Sequence, residues 1–546
     1  MLALRKWAIL SLLAVPCWTY AAGAGPFLDV TAESGLDFVH HNGMTGKLYY
    51  PEVFGSGVGL IDYDGDGDLD VYLVQGSALG SSGTRHSDRL FRNELVEKGK
   101  LRFTDVTAAS GIGATGYGMG ATVGDYDGDG KPDLYVTNLE ANQLWRNLGD
   151  GTFADVTGKA GVGDPNWSAG ATFLDYDADG DLDLYVVNYV SFPFAAHRPC
   201  SNSVGAPEYC GPATYRSLPD RLYRNRGDGT FEDVSAESRI ARLRGAGLGV
   251  VAHDFNKDGR PDLYVSNDGG PNRLWLNRGD GTFADEALLA GCALNEEGRA
   301  EAGMGIVVAD LGGDGRDDLF VTHLGGETNT YYAAHEEGGF DDRSTAAGLA
   351  LPSRVFTGFG VVGLDYDNDG WIDLAVVNGA VKSIEAQVRA GSKFPLAQRD
   401  QLFRNERGRF VEIDSGAAFD VERVGRGLAA GDLDNDGDTD LVVANNNGPA
   451  RVLSNEVGNA SGWIGLHLPG AVAVELTLAD GRTLRRRVSR DGSYLSSGDA
   501  RVLIGLGSTR VKSVRILWSD GSTESRPAPE PGRYHTLRQS DETKTP

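Results

Sequence analysis

Seven stretches of this chain are Asp-rich nonapeptides that run straight into an apolar segment. The first carries Asp62, Asp64, Asp66, Asp68 and Asp70 and continues as Val71-Tyr72-Leu73-Val74. The second has Asp125, Asp127, Asp129, Lys131 and Asp133 at its odd positions, and the third Asp175, Asp177, Asp179, Asp181 and Asp183. The fourth has Asp254, Asn256, Asp258, Arg260 and Asp262. The sixth has Asp365, Asp367, Asp369, Trp371 and Asp373, and the seventh Asp432, Asp434, Asp436, Asp438 and Asp440. Oxygens at positions 1, 3, 5 and 9 converge when the Gly at position 6 allows a sharp turn, and hard cations such as Ca²⁺ take 6–8 oxygens in flexible cages of this kind. Position 7 is expected to add a backbone carbonyl. The fifth loop, with Asp310, Asp314, Arg316 and Asp318, has Gly312 at position 3 and lacks one ligand, so its occupancy is left open.

An EF-hand would need a bidentate Glu at position 12 and flanking helices. Position 12 here is Leu73, Val136, Val186, Val265, Val321, Val376 or Val443, each inside a β-type run. The loops therefore join two strands. Around the second loop the chain reads as four short strands: 118–124, 134–138, 143–147, then a Gly-Asp-Gly turn and 152–157. Four strands per unit at a period of about fifty residues is the pattern of a β-propeller blade. Seven loops predict seven blades. No Phe-x-Asp-Val-Thr strand follows the seventh loop, but Phe27-Leu28-Asp29-Val30-Thr31 stands at the N-terminus. We expect it to complete blade seven and close the ring; the alternative completion is 463–468.

Elements outside the repeat bound the rest. An apolar run at 7–18 behind Arg5-Lys6, with small residues at 21–24, has the three parts of a secretory signal peptide, assigned to 1–24. The propeller is assigned to 25–458 and a small β domain with a short polar tail to 459–546. With 77 acidic and 51 basic residues, the net charge is −26. There is no basic stripe to neutralise phosphates, which excludes a nucleic-acid partner. Cys200 and Cys210 enclose a short Pro/Gly loop, and an exported chain meets an oxidising compartment, so we expect them to pair. Cys292 is left as a buried small hydrophobe.

The Asp-x-Asp-x-Asp-Gly-x-x-Asp loops and Gly-Asp-Gly-Thr-Phe turns resemble the FG-GAP/VCBS repeats of the integrin α-type propeller. With Tyr49-Tyr50-Pro51-Glu52, Gly505-Leu506-Gly507 and Ile516-Leu517-Trp518-Ser519-Asp520-Gly521, the whole is similar to the ASPIC/UnbV group, the cartilage acidic protein 1-like family. That motif normally has Pro where Ser519 stands. The resemblance implies an all-β, seven-bladed propeller followed by a small β domain, calcium binding, and extracytoplasmic life. It also implies that ligands meet the face opposite the metal loops.

Long connections at 77–88, 189–218 and 379–400 fall on that opposite face. His41, Tyr50, Glu52, Tyr117, Trp167, Phe192, Phe194 and Arg198 are the candidates for contacting a protein or glycan, since aromatics and Arg anchor binding surfaces. The expected function is an exported calcium-binding interaction module, secreted or periplasmic and without a transmembrane segment. The alternative is an exported enzyme at the channel mouth, with His40, His41, Tyr50 and Glu52 as acid–base groups. No nucleophile or metalloprotease motif supports it.

Overall fold

The computed structural model describes residues 25–79 and 85–540. The expected signal peptide lies outside the described residues. Between Phe27 and Asn455 the chain forms seven four-stranded antiparallel sheets. The second runs Gly118–Gly124, Asp133–Asn138, Gln143–Asn147 and Phe153–Asp155. Each sheet's first strand packs beside the first strand of the next, and Gly425–Gly431 returns to Val58–Ile61. The sheets thus form a propeller, with a separate apolar core between each neighbouring pair; Val58, Val71 and Phe91 meet Ala429, Val442 and Val452 across the last junction. Leu36 and Phe38, which follow the first described strand, lie in that junction. Phe27–Asp29 pairs antiparallel with Arg451–Asn455, placing Phe27 opposite Asn455 and Asp29 opposite Leu453. The 463–468 segment instead joins the C-terminal sheets, because Gly462–His467 pairs with Val502–Gly507.

Each Asp loop makes the turn between strands one and two. Its sixth residue is Gly with positive φ in every copy, from +82° at Gly315 to +97° at Gly370. An L side chain is strained there. This conformation lets the sixth amide donate to the first aspartate, as Gly130 N does to Asp125 Oδ2 at 2.8 Å. The ninth aspartate is buried and its two oxygens hold two separate amides. Asp133 Oδ2 accepts from Tyr126 N at 3.2 Å, and Oδ1 accepts from Asn147 N on strand three at 2.7 Å. The same pair of bonds forms at Asp70, Asp183, Asp262, Asp373 and Asp440.

The strand-three Asn then ties sheet to sheet. Asn147 Nδ2 donates to Tyr63 O of the preceding metal loop at 2.8 Å. Asn225, Asn277, Asn405, Asn455 and Asn93 make the equivalent bonds to Tyr126, Tyr176, Leu311, Tyr366 and Leu433. In the fifth sheet Ala334 occupies the Asn position, so this bond is lost there.

The C-terminal region forms a three-stranded and a four-stranded sheet around its own core, including Ile464, Leu476, Ile504 and Trp518. It docks on the metal-loop face, and residues 491–499 enter the ring. Ser497 N donates to Val58 O, and Leu60 N to Ser497 O. Ala121 N donates to Leu495 O, and Ser493 N and Ile306 exchange backbone bonds. Asp491 accepts from Thr172 Oγ1 and Ala252 N at 3.0 and 2.8 Å. Ser493 Oγ accepts from Val361 N and donates to Leu428 O. One short segment thereby touches the innermost strand of all seven sheets, and a void of about 10 Å³ is left beside it. The tail is therefore not the freely standing unit its lack of repeats suggests. Its loop satisfies inner-strand amides that face the channel instead of a sheet neighbour.

Asn147→Ala should cost about 1–3 kcal/mol, the price of leaving buried polar groups unpaired. Chemical denaturation of the variant checks it. A variant as stable as the wild type would show that the inter-sheet bond carries no weight.

Candidate functional site

The metal loops gather carboxylates as the spacing predicts, but unequally. In the second, third and sixth loops, oxygens of positions 1, 3 and 9 approach within 4.8 Å of one another: Asp125, Asp127 and Asp133; Asp175, Asp177 and Asp183; Asp365, Asp367 and Asp373. In the first loop Asp62, Asp64 and Asp66 converge, and Asp66 and Asp68 form a second group with Glu97. Burial pushes Asp133 and Asp183 up to about 8, and neighbouring carboxylates add to this against the backbone amides. Buried oxygens without any hydrogen-bond partner remain at Asp68, Asp127, Asp365, Asp367 and Asp438. Buried acceptors facing one another with no donor suit a hard cation, so the residues present fit Ca²⁺.

Two kinds of cation were missed by sequence reasoning. Strand-three arginines stand over the loops: Arg146 Nε lies 2.5 Å from Asp127 and its Nη2 3.2 Å from Asp129, and Arg404 lies 3.2 Å from Asp367. The recurring Arg-Asn at 92–93, 146–147, 224–225 and 404–405 was the available signal. Position-7 side chains also act. Lys131 Nζ sits 2.8 Å from Asp129, and the guanidiniums of Arg260 and Arg316 pair with Asp258 and Asp314. The fifth loop compensates for Gly312 with protein donors. Asp318 Oδ2 accepts from Leu311 N, Gly312 N and Tyr331 OH at 3.0–3.1 Å.

The last loops carry the C-terminal domain. Arg486 donates to Gly370 O at 3.0 Å and lies 3.6 Å from Asp365. Arg501 donates to Asp432 O and Asn435 Oδ1, and Tyr534 OH to Asp432 Oδ2 at 2.9 Å. Arg485 pairs with Asp317 at 3.0 Å. Over the first four loops the domain stands away, and a cleft of about 2170 Å³ opens there, edged by Arg487, Arg490 and Arg515.

On the opposite face four of the eight candidate contact residues are packed inside. Tyr50, Tyr117 and Trp167 are 3, 7 and 3% exposed, and Glu52 is fully buried. They form a cap over the channel with Phe54 and Tyr189. Tyr50 OH bonds Tyr189 OH at 2.6 Å, and Trp167 packs on Phe54 with ring centroids 5.3 Å apart. Glu52 accepts from Tyr209 OH and Thr45 N at 2.9 and 3.2 Å, and burial raises its carboxyl. Tyr117 OH donates to Asn42 O at 2.8 Å. These contacts make all four structural. Phe192 and Phe194 are half-buried and meet the Tyr49 ring edge-on at 6.0 and 5.7 Å. Arg198 is exposed, and His41 is exposed and stacked on His86 at 4.3 Å. His40 is buried; its Nδ1 accepts from Asn447 N at 3.1 Å, and burial pushes it down to about 3. The four acid–base candidates thus look to different partners and form no shared constellation. Cys200 and Cys210 are bonded, with Cα atoms 5.0 Å apart, and Cys292 is buried and free.

A model of the FG-GAP-like repeat matches residues 62–136, 125–186, 213–265, 254–321 and 365–443, more than half of the chain. The chain belongs to the FG-GAP-repeat family. Residues 470–544 match the ASPIC and UnbV domain. Human cartilage acidic protein 1 is 26% identical over 484 residues, covering 86% of this chain and 60% of the human protein. The Xenopus tropicalis protein of that name is 25% identical, covering 88% of this chain and 72% of its own length. The FG-GAP chain thus spans less than two thirds of the human relative. A solved lectin of Agrocybe aegerita, described as recognising non-reducing terminal N-acetylglucosamine, aligns with a TM-score of 0.39 and 16% identity, covering 67% of this chain and 81% of the lectin. No helix among the described residues is long and apolar enough to cross a membrane.

Asp127→Ala should remove one bound metal ion per chain, whereas Asp314→Ala should remove little, because its loop already lacks the position-3 carboxylate and Gly312 N and Tyr331 OH also occupy Asp318. Elemental analysis of both dialysed variants distinguishes them. Equal losses would place an ion in the fifth loop. Joint substitution of Phe192 and Phe194 should lower the melting temperature, since both rings pack against Tyr49.

Proposed function

We propose that the chain is an exported, calcium-loaded, seven-bladed propeller that binds a protein or glycan from its outer surface. A leader at 1–24, a propeller at 25–458 and a C-terminal domain at 459–546 are the units of this reading. The observation that carries it is closure of the channel at both ends. Residues 491–499 fill one end and the Tyr50–Phe54–Trp167–Tyr189 cap fills the other. A site inside the channel would have no entrance, and the cleft over the first four loops opens outward, so this reading places recognition on the exterior. The Cys200–Cys210 ring stiffens the 189–218 insertion over the cap. Around it Tyr49, Phe192, Phe194 and His197 form a half-exposed aromatic ridge beside exposed Arg198. Rigid aromatics with an adjacent guanidinium supply contact area at low entropic cost.

Calcium binds the folded loops and hardly the unfolded chain. Each occupied site stabilises the fold by about 2.7 kcal/mol when free calcium is about 100 times its Kd. Chelation should therefore lower the melting temperature and raise protease sensitivity. An unchanged melting curve, with metal loss confirmed by elemental analysis, contradicts this.

Arg198→Ala, at an exposed side chain, should weaken signals on a glycan array or capture of a host partner in calcium buffer, at unchanged calcium content and melting temperature. Full binding by the stable variant removes the insertion as the recognition site.

A further inference from the structure

The fifth sheet carries a second kind of polar cluster, on the face opposite the Asp loops. His323 follows the strand Asp318–Val321 and is 2% exposed, yet neither ring nitrogen makes a well-formed hydrogen bond, the Ala302 backbone meeting the ring without that geometry. Its Nε2 faces Glu301 Oε2 at 3.9 Å, and the Glu301 side chain is 8% exposed. That separation is too long for a hydrogen bond. It does allow both atoms to reach one ion at the roughly 2.0–2.2 Å of nitrogen and carboxylate ligands. Glu327 is the third group. Its Oε2 accepts from Ala302 N at 3.0 Å and Leu324 N at 3.3 Å. Those amides immediately follow Glu301 and His323, so the Glu327 carboxylate is held beside both. The adjoining Gly325 and Gly326 are exposed and leave a way in from solvent.

We propose that His323, Glu301 and Glu327 form a site for a first-row divalent transition ion of the Zn²⁺ class, distinct from the Asp loops. Imidazole selects such an ion over Ca²⁺, which prefers oxygen alone. The buried His323 ring, with no side-chain donor on its nitrogens, can offer a lone pair to such an ion. Glu301 Oε2 also accepts from Thr330 Oγ1 at 3.3 Å, which holds that oxygen toward the ring. Cys292 takes no part: it lies in the apolar core between the fourth and fifth sheets, with its Sγ on Ala287 O at 3.8 Å.

The test uses the full mature chain in saturating calcium, stripped with a zinc-selective chelator and titrated with Zn²⁺ by calorimetry. Co²⁺ absorption serves as the second readout. One site per chain is expected. His323→Gln should weaken it by more than roughly 100-fold, beyond the range of an outer-shell change. Glu301→Gln should weaken it too, and neither variant should lose calcium. The Co²⁺ spectrum should lack thiolate charge transfer. Should His323→Gln fold poorly, Glu301→Gln alone decides. Absence of a site in the wild type, or Zn²⁺ binding at wild-type strength in the folded variants, overturns the proposal.

Discussion

The buried ninth-position aspartate is the constraint on which the rest of this propeller depends. Its carboxylate accepts one amide from its own loop and one from strand three, as Asp133 does from Tyr126 and Asn147. In the second, third and sixth loops the same residue supplies an oxygen to the carboxylate cluster that could hold a metal ion. Metal loop, strand order and, through the strand-three Asn, the neighbouring sheet are thereby fixed by one group. Low dielectric makes such a group costly unless it is fully satisfied. Where a ligand is missing, at Gly312, the structure recruits Tyr331 to satisfy Asp318.

Charge explains how the two parts of the chain meet. The loops concentrate carboxylates on one face, and the C-terminal domain answers with Arg485, Arg486 and Arg501. Docking over the fifth to seventh loops delivers residues 491–499 into the channel, where backbone and short polar side chains meet every inner strand. Both channel ends are then occupied by the protein itself.

Much of this was legible in the sequence because the repeat is written seven times. Loop positions, the strand-one to strand-two turn and the disulfide follow from local spacing. The N-terminal strand that completes the last sheet was readable from Phe27 to Thr31 because a repeat element was missing at the other end. The candidate contact face was less legible. Tyr50, Glu52, Tyr117 and Trp167 are aromatic or acidic residues in linkers, which suits a surface, but they pack over the channel where no sheet neighbour covers the inner strands. Burial of that kind depends on seven segments converging, and no local pattern records it. The arginines over the loops and the channel-filling 491–499 segment escaped for the same reason: their partners lie tens to hundreds of residues away.

The central claim is that the Asp loops fold around cations. Anomalous scattering from crystals grown in calcium tests it most directly. The account predicts peaks inside the loops that begin at Asp62, Asp125, Asp175 and Asp365, with the Arg146 and Arg404 guanidiniums displaced from Asp127 and Asp367. Loops without peaks in saturating calcium, with both guanidiniums still seated on those carboxylates, would contradict it.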